Sequence, residues 1–376
     1  LSRDIKNLVG RAGRAGTATK ALVICANGDQ WPLIENVAKQ RPGEPVKGAL
    51  LGLLDRVQSV VAAGRVTLDN HVLERSPALH PLIDGIDSTL IDLAAEEVGE
   101  EELLRLAGQI ADHTLASRRS NALSQATFRE VISLRCRRVV GIRKLGRLPW
   151  LRESGARARM IDSVENELLP SWRGWDQASD PIDPELVKIM IDWAWKDAGF
   201  QNDVREGYRL DERVDIDPYR EKFGVLVRMW LSGATYAGIA ECLGMSVDDM
   251  LGVHARVLTF AFQTLAEQGI ALVGKLLEAQ GRPLAGSVAQ FSEHLRFGVP
   301  TSMSLAFAAG GVKHRRAAIE LGRKLKLADF FLGSRDLLFR AAVAELTSAK
   351  DAWILHLGRL MYDNTMDDLG WRSDIA

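Results

Sequence analysis

The sequence predicts a mainly α-helical protein whose only strand-like segment lies near the beginning. Apolar residues recur at steps of three and four, as in the stretch 46–61. Helix start and stop residues flank such stretches, among them Asp183 before Pro184 and, later, Gly244. The strand-like segment is the apolar run 21–26, and we place the strand itself near 22–25.

Composition and charge indicate an ordinary globular chain, with 47% hydrophobic residues, 26% charged residues and a net charge of −1. No apolar run approaches the ~20 residues that span a bilayer, so we expect no membrane contact. Cys25, Cys136 and Cys242 lie far apart and form no C-x-x-C pair. We therefore expect no metal site and no disulfide framework, and a cytoplasmic location.

Two arginines near the start of the chain are spaced for phosphate binding. Arg11 and Arg14 are three residues apart, which places them on one face of a helical turn. Gly10 and Gly13 keep the backbone slim there, and guanidinium groups bind phosphate through paired donors. The alternative is a solvated glycine-rich turn in which the arginines are incidental.

The segment from Asn7 to Arg14 resembles motif VI of superfamily-two helicases, Q-x-x-G-R-x-G-R, in its DEAD/DEAH-box and ski-like branches. Asn7 stands where that family usually has Gln or His. The resemblance implies that Arg14 is the arginine finger and Arg11 its phosphate-facing neighbour. It also implies a nucleotide site for ATP with Mg that includes Asn7, Gly10, Arg11, Gly13 and Arg14, and a strand at 22–25 that closes the second RecA-like domain.

The other half of such a site is missing from this sequence. Neither a G-x-x-x-x-G-K-[ST] phosphate loop nor a D-E-A-D or D-E-A-H quartet occurs, and the chain opens on Leu1. We therefore expect a C-terminal part of a longer helicase that begins at motif VI. Its partner would be the N-terminal remainder of the helicase core, and alone it would not hydrolyse ATP.

An acidic stretch and a basic stretch follow one another in the first half of the chain. We expect one amphipathic helix over 84–106, with its acidic residues in solvent. The segment 118–159 then carries twelve Lys and Arg against Glu130 and Glu153. Such a stretch could line a path for a nucleic acid backbone, with Trp150 stacking on a base. The alternative is that the basic helix packs against the acidic one.

Two later elements resemble the ski-like helicases. The run from Trp230 to Ile239 matches W-x-x-G-A-T-[FY]-x-x-I, which in that family lies in a ratchet-like helical bundle. The segment 295–325 resembles a degenerate helix-hairpin-helix, with Thr301 or Ser302 capping its first helix. Its second helix begins at a turn where backbone amides and cations would contact phosphate. The nucleic-acid-binding residues expected from both basic segments are Arg135, Arg137, Arg138, Arg143, Lys144, Lys313, Arg315 and Arg316.

The predicted fold class is mainly α, namely a remnant of a RecA-like α/β domain followed by a helical bundle and a helix-hairpin-helix-like element. We divide the chain into 1–30 (end of the RecA-like domain), 31–180 (helical, with the basic segment), 181–285 (ratchet-like bundle), 286–345 (hairpin) and 346–376 (C-terminal helix and tail). The expected function is the C-terminal part of an ATP-dependent helicase or translocase that binds DNA or RNA. The alternative is a non-enzymatic helical nucleic-acid-binding or scaffold protein.

Overall fold

All regular secondary structure in the described part of the chain is helical, which agrees with the mainly α prediction. The computed structural model describes residues 28–32, 35, 49–64, 67–76, 79–96, 98–114, 122–211, 213–325 and 334–370. The predicted strand at 22–25 and the RecA-like remnant that would contain it lie outside these residues, apart from a 3-10 turn at Gly28–Gln30.

The first part of the chain consists of α1 (Ala49–Gly64), α2 (Asn70–Arg75), α3 (His80–Ala94), α4 (Glu100–Asp112), α5 (Ala122–Lys144), α6 (Leu148–Ser154) and α7 (Met160–Ser163). Helix α7 runs on into a π-helical segment, Val164–Leu168, and 3-10 turns follow at Leu169–Ser171 and Gly174–Asp176. Helices α1, α3 and α4 pack against α5, so the segment with the highest positive charge lies at the centre of this part of the fold.

The middle part consists of α8 (Pro184–Ala194), α9 (Ala198–Gly207), α10 (Asp217–Leu231) and α11 (Tyr236–Leu243), followed by α12 (Val247–Val253), a π-helical segment (His254–Phe262) and α13 (Gln263–Ala279). These last three form one continuous long helix, Val247–Ala279. The last part consists of α14 (Gly286–Ala289), α15 (Phe291–Phe297), α16 (Ser302–Gly310), α17 (Arg315–Lys324), α18 (Arg335–Ser348), α19 (Lys350–Leu357) and α20 (Arg359–Gly370).

Side-chain caps begin several of these helices where the sequence places them. The oxygen of each capping side chain accepts a hydrogen bond from a backbone N–H two or three residues on. Such caps occur at Asp183, Thr235, Ser246 and Thr301. Gly244 ends α11 with a left-handed backbone, as expected of a helix-ending glycine.

The single helix expected over 84–106 is wrong, because two helices occupy this stretch. Helix α3 ends at Ala94, and α4 begins at Glu100 after Gly99, which has an extended backbone. Three consecutive glutamates then occupy the first turn of α4, where the positive end of the helix dipole stabilises acidic side chains. The apolar spacing passes through the break, and for that reason it predicts one helix.

Two large apolar cores and a small third cluster, formed by Val299, Leu305 and Ile319, organise the described residues. The main core runs from Leu54 to Leu295 and packs around α5 and the long helix. A second core, from Phe307 to Leu369, holds the hairpin of α16 and α17 against α18, α19 and α20. The long helix has a length and hydropathy that would allow a membrane span, but 56% of its apolar window is buried in the protein, as in a core helix.

Candidate nucleic-acid interface

The residues expected to bind nucleotide lie outside the described part of the chain. Asn7, Gly10, Arg11, Gly13 and Arg14 all belong to residues 1–27, so the arginine-finger assignment stays a prediction. Within the described residues, no group of three or more His, Cys, Asp or Glu side chains is arranged to hold a metal ion.

Arg135 is the most deeply buried of the expected phosphate-binding residues. Its side chain is 0% exposed, and its Nε and Nη2 atoms donate to the two carboxylate oxygens of Asp87 at 2.8 and 2.5 Å. Nη1 donates to Glu74 at 2.6 Å and to Asn70 at 3.0 Å. Burial raises the pKa of Asp87, while the hydrogen bond and charge of Arg135 hold it down. The expected contact between Arg135 and a phosphate backbone is therefore wrong for this conformation.

Most of the other basic side chains in this segment are also paired internally. Arg138 donates to Asp162 at 2.5 Å, and Arg143 donates to the carbonyl of Val98 at 2.6 Å. Lys144 lies 3.5 Å from Glu100 but remains 72% exposed. The upstream acidic stretch supplies several of the partners, in agreement with the alternative that the basic helix packs against acidic helices.

Arg147, Arg157 and Arg159 extend this pairing beyond α5. Arg147 forms a two-pronged pair with Glu165, at 2.6 and 2.7 Å. Arg157 and Arg159 both reach Asp84, and Arg159 also binds Asp197 at 2.6 Å. Among the described cations of the segment, Arg137 and Arg152 are exposed and make no ion pair or hydrogen bond with described residues. The positive charge of the described part of this segment, 122–159, is therefore largely neutralised within the fold.

The hairpin of α16 and α17 places its three expected contacts in different surroundings. Lys313 pairs with Asp368 at 2.7 Å, and the exposed Arg316 donates to the carbonyl of His356 at 3.1 Å. Arg315 is half-buried and turns away from the other two, with its Cζ atom 3.8 Å from the ring centroid of Trp230. Its Nη2 atom donates to the carbonyl of Ala234. The expected phosphate contact of Arg315 stays a prediction, although its guanidinium contacts Trp230 and Ala234 in this conformation.

Arg315 belongs to a cluster that we call the arginine–tryptophan junction, formed by Trp230, Tyr236, His254, Gly298 and Arg315. The Trp230 ring stacks on Tyr236 with centroids 5.3 Å apart and meets the edge of His254 at 4.2 Å. The Trp230 indole N–H donates to the carbonyl of Leu295 at 2.7 Å. The junction thus joins the end of α10 and the start of α11 to the long helix, α15 and the hairpin.

Two glycines allow this close approach. Gly298 has φ +63°, and a Cβ atom there would lie 2.6 Å from both Trp230 Cζ2 and Arg315 Nη1. Gly233 has φ +90°, and its Cβ would lie 2.6 Å from Cδ1 of Ile319 on α17. Since real Cβ atoms do not approach other atoms this closely, glycine at these positions sets the separation between the bundle and the hairpin.

The junction carries one half-buried positive charge, and no carboxylate of the described residues is in contact with it. Burial lowers the pKa of Arg315 to about 10, so the guanidinium stays charged at neutral pH. Burial and, second, the charge of Arg315 lower the pKa of His254 to about 4. Within the described residues, Arg315 Nη1 and His254 Nε2 are buried without a hydrogen-bond partner. The sequence offers no signal for His254, which is an isolated histidine in an apolar helix.

An open cleft of about 700 Å³ lies between α6 and the end of the long helix, and sequence reasoning missed it apart from Trp150. Lys275 and Arg282 line it, but Lys275 pairs with Glu153 at 2.8 Å and Arg282 with Asp176 at 2.8 Å. The cleft is therefore close to neutral and largely apolar, apart from its paired rim. The Trp150 ring on one wall and the small net charge suit the stacking of a nucleic acid base better than the binding of a phosphate backbone.

Comparison of this chain with models of protein families, with curated proteins and with solved structures gives no match.

Proposed function

We propose that this chain is the C-terminal part of an ATP-dependent superfamily-two helicase, in which it supplies the arginine finger and a helical region that contacts nucleic acid. The observation that carries the proposal is the arginine–tryptophan junction. It brings the W-x-x-G-A-T-Y element into direct contact with the hairpin, the two elements that resemble the same family. Their order along the chain also follows that family, after motif VI at its start.

The catalytic half of the proposal rests on the resemblance alone. Arg14, with Arg11 beside it, would stabilise the charge that develops on the transferred phosphoryl group of ATP. ATP with Mg would bind mainly to the N-terminal remainder of the helicase core, which would carry the phosphate loop.

The junction suggests how the helical region would serve such a motor. A half-buried cation stacked on an indole, with glycines at the contact, resists sliding because any shift separates the charge from the ring or forces atoms to overlap. The hairpin and the bundle would therefore move as one body, and a displacement of the bundle would carry the hairpin along the strand.

The binding half is tested with this chain and a labelled single strand, by fluorescence anisotropy between 50 and 200 mM salt. We expect binding that is independent of sequence and falls steeply as salt rises, with a log–log slope of about 0.7 for each phosphate that the protein binds. The ATP half is tested in a protein that joins this chain to a phosphate loop, where Arg14→Ala should reduce ATP turnover by about 10³-fold. Arg3→Ala, which lies outside the motif, serves as its matched control.

A non-enzymatic helical scaffold is the second candidate, and the internal pairing of the basic segment favours it. A scaffold needs no positive path, and Arg135, Arg138 and Arg159 already have carboxylate partners. Salt-independent binding, or none, together with normal turnover in Arg14→Ala, would decide for the scaffold.

A further inference from the structure

The turn between α16 and α17 is occupied by a carboxylate from the last helix. The backbone N–H of Lys313 donates to Oδ2 of Asp368 at 2.9 Å, and Lys313 Nζ donates to Oδ1 at 2.7 Å. The Asp368 side chain is only 5% exposed, although the Lys313 side chain is 80% exposed. One carboxylate therefore takes up both the main-chain donor and the ammonium group of this turn.

Further contacts continue along α17 and hold it against α19 and α20. Asn364 lies 3.2 Å from the His314 ring, and His356 Nε2 lies 2.7 Å from Glu320. Lys324 lies over the ring of Trp353, 4.6 Å from its centroid. With the Arg316 contact to the His356 carbonyl, these interactions span α17 from its first turn to its last.

A carboxylate and a phosphate present the same chemistry to this turn. Both offer two or more anionic oxygens to a backbone N–H and a lysine, which form charge-assisted hydrogen bonds. Backbone amides and lysines of this kind position nucleic acid phosphates without reading sequence. Only one of the two anions can occupy the Lys313 donors at a time.

We propose that α20 is an internal competitor, in which Asp368 stands where a nucleic acid phosphate binds, so that the hairpin engages nucleic acid only when the end of α20 is displaced. This inference rests on the proposed function and adds regulation of the same hairpin. The displacement involves the last two turns of α20, which carry both Asn364 and Asp368.

The test compares Asp368→Asn with Asp367→Asn in the full chain. Both variants remove one negative charge from the same helix, but Asp367 is exposed and makes no hydrogen bond or ion pair with the described residues. Affinity for a labelled single strand is measured by fluorescence anisotropy. The apparent affinity of the chain is its intrinsic affinity multiplied by the fraction of molecules in which α20 is displaced from the hairpin. Because Asp368→Asn raises that fraction, it should bind the strand about five- to tenfold more tightly than Asp367→Asn.

Hydrogen–deuterium exchange at residues 311–315 supplies a second measurement. In Asp368→Asn this segment should exchange faster than in wild type and become protected again on addition of the strand. In wild type, the strand should speed exchange in 364–370. A separate variant, Asn364→Ala, removes the contact of α20 with His314 and should also tighten binding, which keeps the test valid if Asp368→Asn fails to fold.

The outcomes separate the two proposals. Equal affinity of the Asp368 and Asp367 variants, with salt-dependent binding intact and no exchange change at the turn, overturns the competition and leaves the proposed function standing. Weaker binding by Asp368→Asn makes Asp368 a supporting residue of the hairpin and also overturns it. If wild type and all variants fail to bind any strand, the proposed function falls, and the competition falls with it.

Discussion

Two arginines, the fully buried Arg135 and the half-buried Arg315, are stabilised by different kinds of partner. Arg135 lies in the main core between two carboxylates, Asp87 and Glu74, which are 48 and 61 residues earlier in the chain. Arg315 has a ring on one side and the carbonyl of Ala234, with no carboxylate in contact among the described residues. The charge of Arg135 is neutralised by carboxylates. The charge of Arg315 is instead stabilised by the quadrupole of the Trp230 ring and the dipole of the Ala234 carbonyl.

The difference determines what each arginine can do. A guanidinium held by two carboxylates cannot leave without exposing two negative charges, so Arg135 fixes α2, α3 and α5 in place. Movement of Arg315 would leave no carboxylate of the described residues unpaired. Its neighbour His254 adds a titratable group to the same contact. The first region is suited to permanent structure, and the second to a contact that responds to its surroundings.

The largest effect should come from breaking the Arg135 pairing. Arg135→Met strands Asp87 in the core, so we expect a loss of about 3–5 kcal/mol in the free energy of unfolding, measured by urea denaturation at pH 7. Arg137→Met, at an exposed position of the same helix, should change it by less than about 0.5 kcal/mol.

The pH dependence of this variant identifies the cause. Burial already raises the pKa of Asp87, and removing Arg135 raises it further. A carboxyl whose folded pKa exceeds its unfolded pKa is protonated more readily in the folded state, so the penalty shrinks as pH falls. Arg135→Met should therefore recover part of its loss at pH 5, relative to Arg137→Met. A deficit that does not change with pH would indicate lost packing instead of a stranded charge.

The second effect concerns His254. Its folded pKa of about 4 lies below the ordinary value of 6.5, so the unfolded chain takes up a proton first as pH falls. Stability contributed by neutral His254 is present above pH 6.5 and is lost between pH 6.5 and 4, by about 1.4 kcal/mol per unit, or about 3 kcal/mol in all.

His254→Phe keeps an aromatic ring beside Trp230 and removes the proton-binding group. Urea denaturation of both proteins at a series of pH values measures the difference between the two curves, so other titrating groups cancel. We expect the free energy of unfolding of the variant, relative to that of wild type, to rise by about 3 kcal/mol from pH 7 to pH 4. Parallel curves would show that His254 titrates normally and that Arg315 does not act on it.

The third effect separates packing from backbone strain at the junction. Gly298 and Gly244 both end helices with φ +63°, but a Cβ atom at Gly244 would meet nothing within 4 Å. Gly244→Ala should therefore cost only the left-handed backbone, about 1 kcal/mol, whereas Gly298→Ala should cost about 1–2 kcal/mol more through overlap with Trp230 and Arg315. Thermal denaturation of the two variants measures these losses. Equal losses would mean that the junction accommodates a Cβ atom at position 298 without overlap.

The sequence predicts local features of this protein much better than distant pairings. The caps at Asp183, Ser246 and Thr301 follow from neighbouring residues, and they are where the spacing places them. The pairing of Arg135 depends on which helices pack together, which one sequence does not encode in any short pattern. A run of positive charge therefore predicts neither an exposed surface nor a binding path.

The same limit applies to the hairpin. The sequence predicts its helices and its basic turn, but Asp368, which occupies that turn, is 55 residues away. Arg315 and Arg316 are adjacent in sequence and equally basic, yet one is half-buried against Trp230 and the other is exposed. Adjacent residues of a helix point to different faces. Which of these faces is exposed to solvent depends on the elements that pack against the helix.

The smallest effect on stability, and the sharpest on binding, distinguishes the two basic regions as contacts for nucleic acid. Arg316→Gln removes an exposed cation at the hairpin, and we expect the log–log salt slope of single-strand binding to fall by about 0.7, with the free energy of unfolding changed by less than about 0.5 kcal/mol. Arg138→Gln removes a cation paired with Asp162, so it should lower stability by up to about 1 kcal/mol and leave the slope unchanged. Anisotropy titrations over a range of salt concentrations measure the slope, and urea denaturation of both variants measures the stability.

A reduced slope in Arg138→Gln would mean that the internal ion pairs open when nucleic acid binds, and α5 would then be a contact surface. An unchanged slope in Arg316→Gln would remove Arg316 from the binding path, because a side chain that neutralises a phosphate must change the number of ions released.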